Sequence, residues 1–186
     1  MKHLIVTAVV FLVMAGSVHA ASWTSWEDYQ EYKDIKTKAS EASDSGDTLN
    51  AVLNYKKAAD LALKSATPEI QAWQLNNAAY SLIQRFKVLT GYQPKLDALA
   101  EMEPSKEKIA YQKEIAELFK EHIGLLEEAR ELLEKAGGLE LTEGQGPEPK
   151  IKSNTDYVKW VVDFTYDQLG EKRQEKEQEK EQTETE

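Results

Sequence analysis

No cysteine occurs in the 186 residues. That absence removes a disulfide framework, thiolate metal sites and a lipid-modified cysteine behind a leader. Histidine is nearly missing as well: only His3, His19 and His122 are present. Without the first twenty residues a single imidazole remains, and a His-rich metal site cannot be built from one. No segment alternates apolar and polar residues with period two, so strands are not expected. Glycine-rich phosphate loops and a G-x-S-x-G elbow are missing too. There is no basic excess: 23 Lys and Arg face 33 Asp and Glu, a net charge of −10 that becomes −11 once Lys2 is gone. Such a surface repels nucleic acid and anionic lipid, both of which are bound chiefly by Lys and Arg.

Long apolar runs are absent but for one. Met1-Lys2-His3 is a short basic start, Leu4 to Ala15 is apolar, and Val18-His19-Ala20 carries suitable −3 and −1 residues for cleavage. This is the layout of a secretory signal peptide over residues 1–20, cleaved after Ala20. The run is shorter than the ~18 residues of a membrane-spanning helix, so no membrane insertion is expected after its removal. The expected location is the periplasm or the medium. Removing 20 of 186 residues leaves 166, enough for one domain with a core.

What is there is helical. Thr24-Ser25-Trp26-Glu27 has the T-x-x-E form of a capping box, predicting a helix to about Asp44, where Ser45-Gly46-Asp47 breaks it. Ala51, Tyr55, Ala58 and Ala62 mark a second helix. Thr67-Pro68 restarts the chain as N-cap and first helical residue. The third helix, to about Phe86, divides into an apolar face (Ala72, Leu75, Ala79, Leu82, Ile83, Phe86) and a polar one (Gln71, Gln74, Asn77, Ser81, Arg85). After Thr90-Gly91-Tyr92-Gln93-Pro94 a short helix is expected over Lys95 to Met102. A long one follows over Ser105 to Ala136, where Leu118, Leu125 and Leu132 recur every seven residues. Gly124 is the expected place for a kink. The helical domain is expected to span 21–136, with a Gly/Pro/Glu-rich linker at 137–152. A last amphipathic helix at 153–170, capped by Ser153-Asn154-Thr155, carries Tyr157, Trp160 and Phe164 and should pack on the domain. A charged tail at 171–186 has no apolar residue and reads as disorder or solvated helix.

The stretch Gly46 to Ser65 raises a sharper possibility. Tetratricopeptide repeats follow W-x2-L-G-x2-Y in the first helix and A-x3-F in the second. Ala51-x3-Tyr55, followed by Ala58, matches the second-helix core, and Trp73-x2-Asn76-Asn77-x2-Tyr80 keeps the spacing of a following first helix. Over about residues 32–86 the chain resembles a degenerate tetratricopeptide-repeat protein. The expected fold is all-α: antiparallel helical hairpins of this type, a long helix and a C-terminal capping helix. Because the second helix of the second repeat is missing from its expected place, the last two helices must supply that layer.

The resemblance implies an interaction module for a protein or peptide partner, with no cofactor, metal or catalytic residue. In such proteins the first helices line the concave groove, which places Gln71, Gln74, Asn77, Ser81 and Arg85 at the binding surface. A helical holdase chaperone is the alternative, and it would need an exposed apolar patch. A hydrolase using carboxylates is remote, because nothing marks an acid–base pair. His122 falls on or beside the apolar stripe and reads as a packed residue. Asn76 projects onto the apolar face, where burial requires a hydrogen-bond partner. Trp23, Trp26, Tyr29 and Tyr32 recur every three residues and read mainly as packing of the first helix, with an aromatic surface for a peptide or a sugar as the alternative. Leu141-Thr142-Glu143-Gly144-Gln145 is similar to the L-T-x-x-Q signature of small periplasmic chaperones, but it lies in the linker and reads as coincidence.

Overall fold

The computed structural model describes residues 23–171; the expected signal peptide, and all of the expected tail but Glu171, lie outside them. Every regular element described is a helix, and the fold is all-α. Helices α1 (Trp26–Asp44), α2 (Thr48–Ala62) and α3 (Pro68–Thr90) follow one another across short turns. Then come α4 (Tyr92–Glu101), α5 (Lys106–Glu121), α6 (Ile123–Gly137) and α7 (Glu148–Leu169). A lone antiparallel bridge, Trp23 to Ser65, ties the start of the described chain to the α2–α3 turn.

Local chemistry sets the helix ends. Ser25, not Thr24, caps α1: its hydroxyl accepts from the Asp28 N–H and donates to the Asp28 carboxylate. Thr24 is drawn elsewhere, donating to the Lys64 carbonyl from its N–H at 3.1 Å and its hydroxyl at 2.8 Å. Asp47 caps α2 through the Asn50 N–H. Pro68 sits in the first turn of α3 as expected, although the Thr67 side chain makes no capping bond. Gly91 alone separates α3 from α4, at φ 57°, a left-handed conformation that only glycine adopts without strain. So α3 runs on to Thr90, and α4 begins at Tyr92 rather than Lys95, with Pro94 in its first turn.

Alanine governs how closely the hairpins pack. Ala51, Ala58, Ala59 and Ala62 on α2, and Ala72, Ala78 and Ala79 on α3, are all buried. Side chains this small let helix backbones approach closely. In space α1 packs on α2, α2 on α3, and α3 on α6. The short turns make each of the first two pairs antiparallel, so α1 and α3 run in the same direction on either side of a seam above α2. The expected division of α3 into two faces is only half right. Its apolar face is buried throughout, but Gln74 and Ser81 of the polar face are buried too: α2 and α6 pack along α3, and Tyr32 of α1 reaches across to Gln74.

The helix expected over Ser105–Ala136 is two helices. The break falls at His122 (φ −116°, ψ 9°), while Gly124 lies inside α6. The bend lets α6 lie along α3 while α5 stays against α7. The last helix starts at Glu148, well before Ser153. Pro147 and Pro149 stand at its opening turn, where a missing N–H leaves no hydrogen bond unmade. The expected linker at 137–152 is therefore a shorter loop, 138–147, whose Leu139 and Leu141 pack against the core.

Helix α7 folds back antiparallel on α6. Ile151 lies beside Gly137, the Phe164 ring is 6.1 Å from Phe119, and Glu171 pairs with Lys120 at 2.5 Å. Ile151, Val158, Val161 and Val162 are buried by this packing. Each is worth ~1.5–3 kcal/mol on burial, which makes α7 part of the core. Around it Phe86, Tyr92, Phe119, Tyr157, Trp160 and Phe164 form one aromatic cluster drawn from α3, α4, α5 and α7.

Candidate functional site

The seam between α1 and α3 opens into a groove of about 850 Å³. Its floor is made by Tyr32 and Gln74, both buried. The Gln74 side-chain amide donates from Nε2 to the Tyr32 hydroxyl oxygen at 3.0 Å. The other end of that amide, Oε1, is buried and has no hydrogen-bond partner. An unpaired buried acceptor costs about 1–3 kcal/mol, so this atom is an energetic debit in the free protein. Burial, helped by the neighbouring Tyr29, pushes the Tyr32 hydroxyl up to about 12. It stays protonated at neutral pH. An acceptor and a donor thus stand side by side on the floor.

One end of the groove is aromatic. Trp23, Tyr29, Ile70 and Trp73 line it, with the Trp23 ring 4.7 Å from Tyr32 and 5.9 Å from Tyr29. Trp23 is held there by the bridge to Ser65 and by the two Thr24–Lys64 hydrogen bonds. A Lys64–Asp28 ion pair at 2.5 Å fixes the same corner, and with Ser25 it holds the Asp28 carboxyl below its usual range. Further along α1 the wall carries Lys33 and Lys36, then Thr37 and Ser40, then Glu41 and Asp44. All four charged residues are exposed. None forms an ion pair among the described residues.

The five residues singled out from the sequence separate along α3. Gln74 and Asn77 line the groove. Ser81 and Arg85 line a smaller hollow of about 320 Å³ near the α1–α2 turn, together with Tyr80, Val88 and Leu89. The Ser81 hydroxyl is engaged by its own helix, donating to the Asn77 carbonyl at 3.0 Å. Gln71 is half-buried and lines neither. Sequence reasoning did not place Trp73 or the α1 charges at a site, and it read Tyr32 mainly as packing, with an aromatic binding surface as the alternative. The three-residue aromatic spacing was the available signal. It splits three ways in the structure: Trp23 and Tyr32 are buried, Tyr29 is half-buried and Trp26 is 57% exposed.

Other candidates have structural roles. Asn76 is buried, and its Oδ1 accepts from Asn154 Nδ2 at 2.9 Å, linking α3 to α7. His122 is half-buried at the α5–α6 junction. Thr142 and Gln145 of the L-T-x-x-Q stretch are joined through their backbones as a turn in the loop before α7. Among the described residues no cluster of His, Asp and Glu is placed to hold a metal ion, and no helix is long and apolar enough to cross a membrane. The site offers hydrogen bonds, aromatic surface and charge. No family model, curated protein or solved structure matches this chain.

Proposed function

We propose that this chain is an exported interaction module that binds an extended peptide segment of a partner protein in the α1–α3 groove. The observation that carries the reading is the buried, unpartnered Gln74 Oε1 beside the Tyr32 hydroxyl. A slight opening of the α1–α3 seam brings Oε1, buried in the free protein, to a peptide bond laid across the floor, which supplies the N–H that Gln74 lacks and a C=O for the Tyr32 proton. The tetratricopeptide-like reading is consistent with this. Ala51, Tyr55 and Ala58 are buried on α2, which packs on α1 and α3, and α6 lies against α3 where the second repeat wants its second helix. The period departs from that family, since α1 and α3 start at Trp26 and Pro68, further apart than about 34 residues. Export follows from the basic start, apolar run and Ala20 cleavage position, which put the mature N-terminus at Ala21.

The test is an array of random-sequence peptides probed with the mature protein and with its Gln74→Met variant. Sequence-selective binding that the variant loses supports the reading. Binding that the variant retains, or none at all, overturns it. A holdase is the second reading, favoured by the exposed Tyr80, Val88 and Leu89 at the smaller hollow. It predicts suppression of client aggregation, read by light scattering, that Gln74→Met leaves untouched.

A further inference from the structure

The α1 wall is charged in a fixed order along the groove, and that order specifies the peptide. Starting from the aromatic end, the wall presents Lys33 and Lys36 first and Glu41 and Asp44 last. The last pair is in an unfavourable place for the free helix. Glu41 and Asp44 stand in the final turns of α1, next to its carbonyl end, where no basic residue compensates. Negative charge there opposes the helix dipole, and the two carboxylates also face each other at i,i+3. A cation at that end of the groove relieves both.

The spacing follows from helix geometry. The aromatic end lies level with Tyr29 and Tyr32, and the carboxylate end with Glu41 and Asp44. At ~1.5 Å per residue along α1 these are roughly 18 Å apart. An extended peptide covers ~3.3 Å per residue, so the same span takes about five or six peptide residues. Lys33 and Lys36 lie roughly 6 Å from the aromatic level, about two peptide residues along.

We infer that the groove selects extended peptides carrying an apolar anchor, an acidic residue about two positions away and a basic residue about six positions away, all on the same side of the extended chain. The inference rests on the groove reading above. The anchor fills the space between Trp23 and Trp73, the acidic side chain meets Lys33 and Lys36, and the basic one meets Glu41 and Asp44. Gln74 and Tyr32 hold the backbone between them. Solvent-exposed charges set preference more than raw affinity, and their effect weakens with salt.

The experiment uses synthetic decapeptides with the full mature protein, read by tryptophan fluorescence because two groove residues are Trp23 and Trp73. One peptide carries the anchor–acid–base pattern, one has acid and base exchanged, one lacks the anchor, and each is made in both chain directions. The patterned peptide should bind more tightly than the exchanged one, by about fivefold per misplaced charge, and the gap should close in high salt. The Glu41→Lys, Asp44→Lys double variant alters exposed positions only, so folding is not at stake. It should lose the preference for a base at the far end and gain one for an acid. Equal affinity for patterned and exchanged peptides, with Gln74→Met still abolishing binding, overturns the charge register and leaves the groove reading standing. Absence of any peptide binding that depends on Gln74 overturns both.

Discussion

Replacing Phe119 by alanine tests whether the aromatic cluster holds the C-terminal half of the fold to the first three helices. The Phe119 side chain is fully buried. Its ring lies edge-on to Phe86 at 5.2 Å, stacked on Tyr92 at 5.7 Å, and 6.1 Å from Phe164. It therefore touches α3, α4 and α7 at once, from its own place on α5. Truncating a buried Phe costs about 3–5 kcal/mol, and three ring partners place this one toward the upper end. For a domain of this size each kcal/mol lowers the melting temperature by ~2–4 °C, so a fall of roughly 10–15 °C is expected. Total stabilities run at about 5–15 kcal/mol, so the variant sits near the edge of folding. Phe119→Leu keeps apolar volume and loses mainly the ring–ring terms, and should cost only ~1–2 kcal/mol. Urea titration by circular dichroism measures both, and hydrogen exchange should show α7 losing protection before α2. A loss below about 1.5 kcal/mol for Phe119→Ala would refute the reasoning. The cluster would then be a surface coat and not the joint between the two halves.

Gln74→Met removes an unpaired buried acceptor and one hydrogen bond of about 1 kcal/mol, so stability should hold or rise by up to ~2 kcal/mol while peptide binding is lost; destabilisation beyond ~1 kcal/mol in the melt would mean that Oε1 is already satisfied. Tyr55→Ala, at a position only 8% exposed, should cost about 3–4 kcal/mol. Trp73→Ala, at 36% exposed and facing the groove, should cost under ~1.5 kcal/mol and show its effect in peptide affinity instead. Tyr32 ionises at about 12 in the folded chain, chiefly through burial, against 10.0 for the free side chain. Between those values the unfolded state releases a proton that the folded state keeps. Its contribution to stability is therefore whole below pH 10 and is lost as pH rises toward 12; in melts followed alongside tyrosinate absorbance Tyr32→Phe should shrink the alkaline loss, the rest coming from the other tyrosines that burial raises, Tyr55, Tyr92, Tyr157 and Tyr166. Gly124→Ala should stabilise by ~0.5–1 kcal/mol, since Gly124 is helical and an added Cβ meets nothing within 4 Å.

Helices were legible wherever one face repeated cleanly. Ala51, Tyr55, Ala58 and Ala62 are all buried on α2, and the apolar face of α3 is buried throughout. Breaks signalled by Gly91 and by Ser45-Gly46-Asp47 are where the chain turns. Asn76 announced itself as a polar residue on an apolar face, and the structure supplies its partner in Asn154. Less legible was the start of α7. Its prolines and glutamate carry the composition of a loop, yet prolines at an opening turn are compatible with a helix. Nothing local marks His122 as the break between α5 and α6. That bend answers to packing, since α6 must lie on α3.

By itself the sequence determined the class of fold, most helix boundaries to within a few residues, and an acidic, cysteine-free character that excludes several kinds of chemistry. Those properties depend on near neighbours in the chain: periodicity, caps, glycine and proline. The tertiary structure alone decided which polar residues matter. Gln71, Gln74, Asn77, Ser81 and Arg85 look equivalent on a helical projection, and only the arrival of α1 beside α3 separates them. It leaves Gln74 buried against Tyr32, while Ser81 bonds back onto its own helix. It also brings Trp23 and Trp73 to one end of a groove that takes its charges from α1. A helix pattern records which face is covered and carries no trace of what covers it. A site shared by two helices more than forty residues apart in sequence, as Tyr32 and Gln74 are, exists only once the chain has packed.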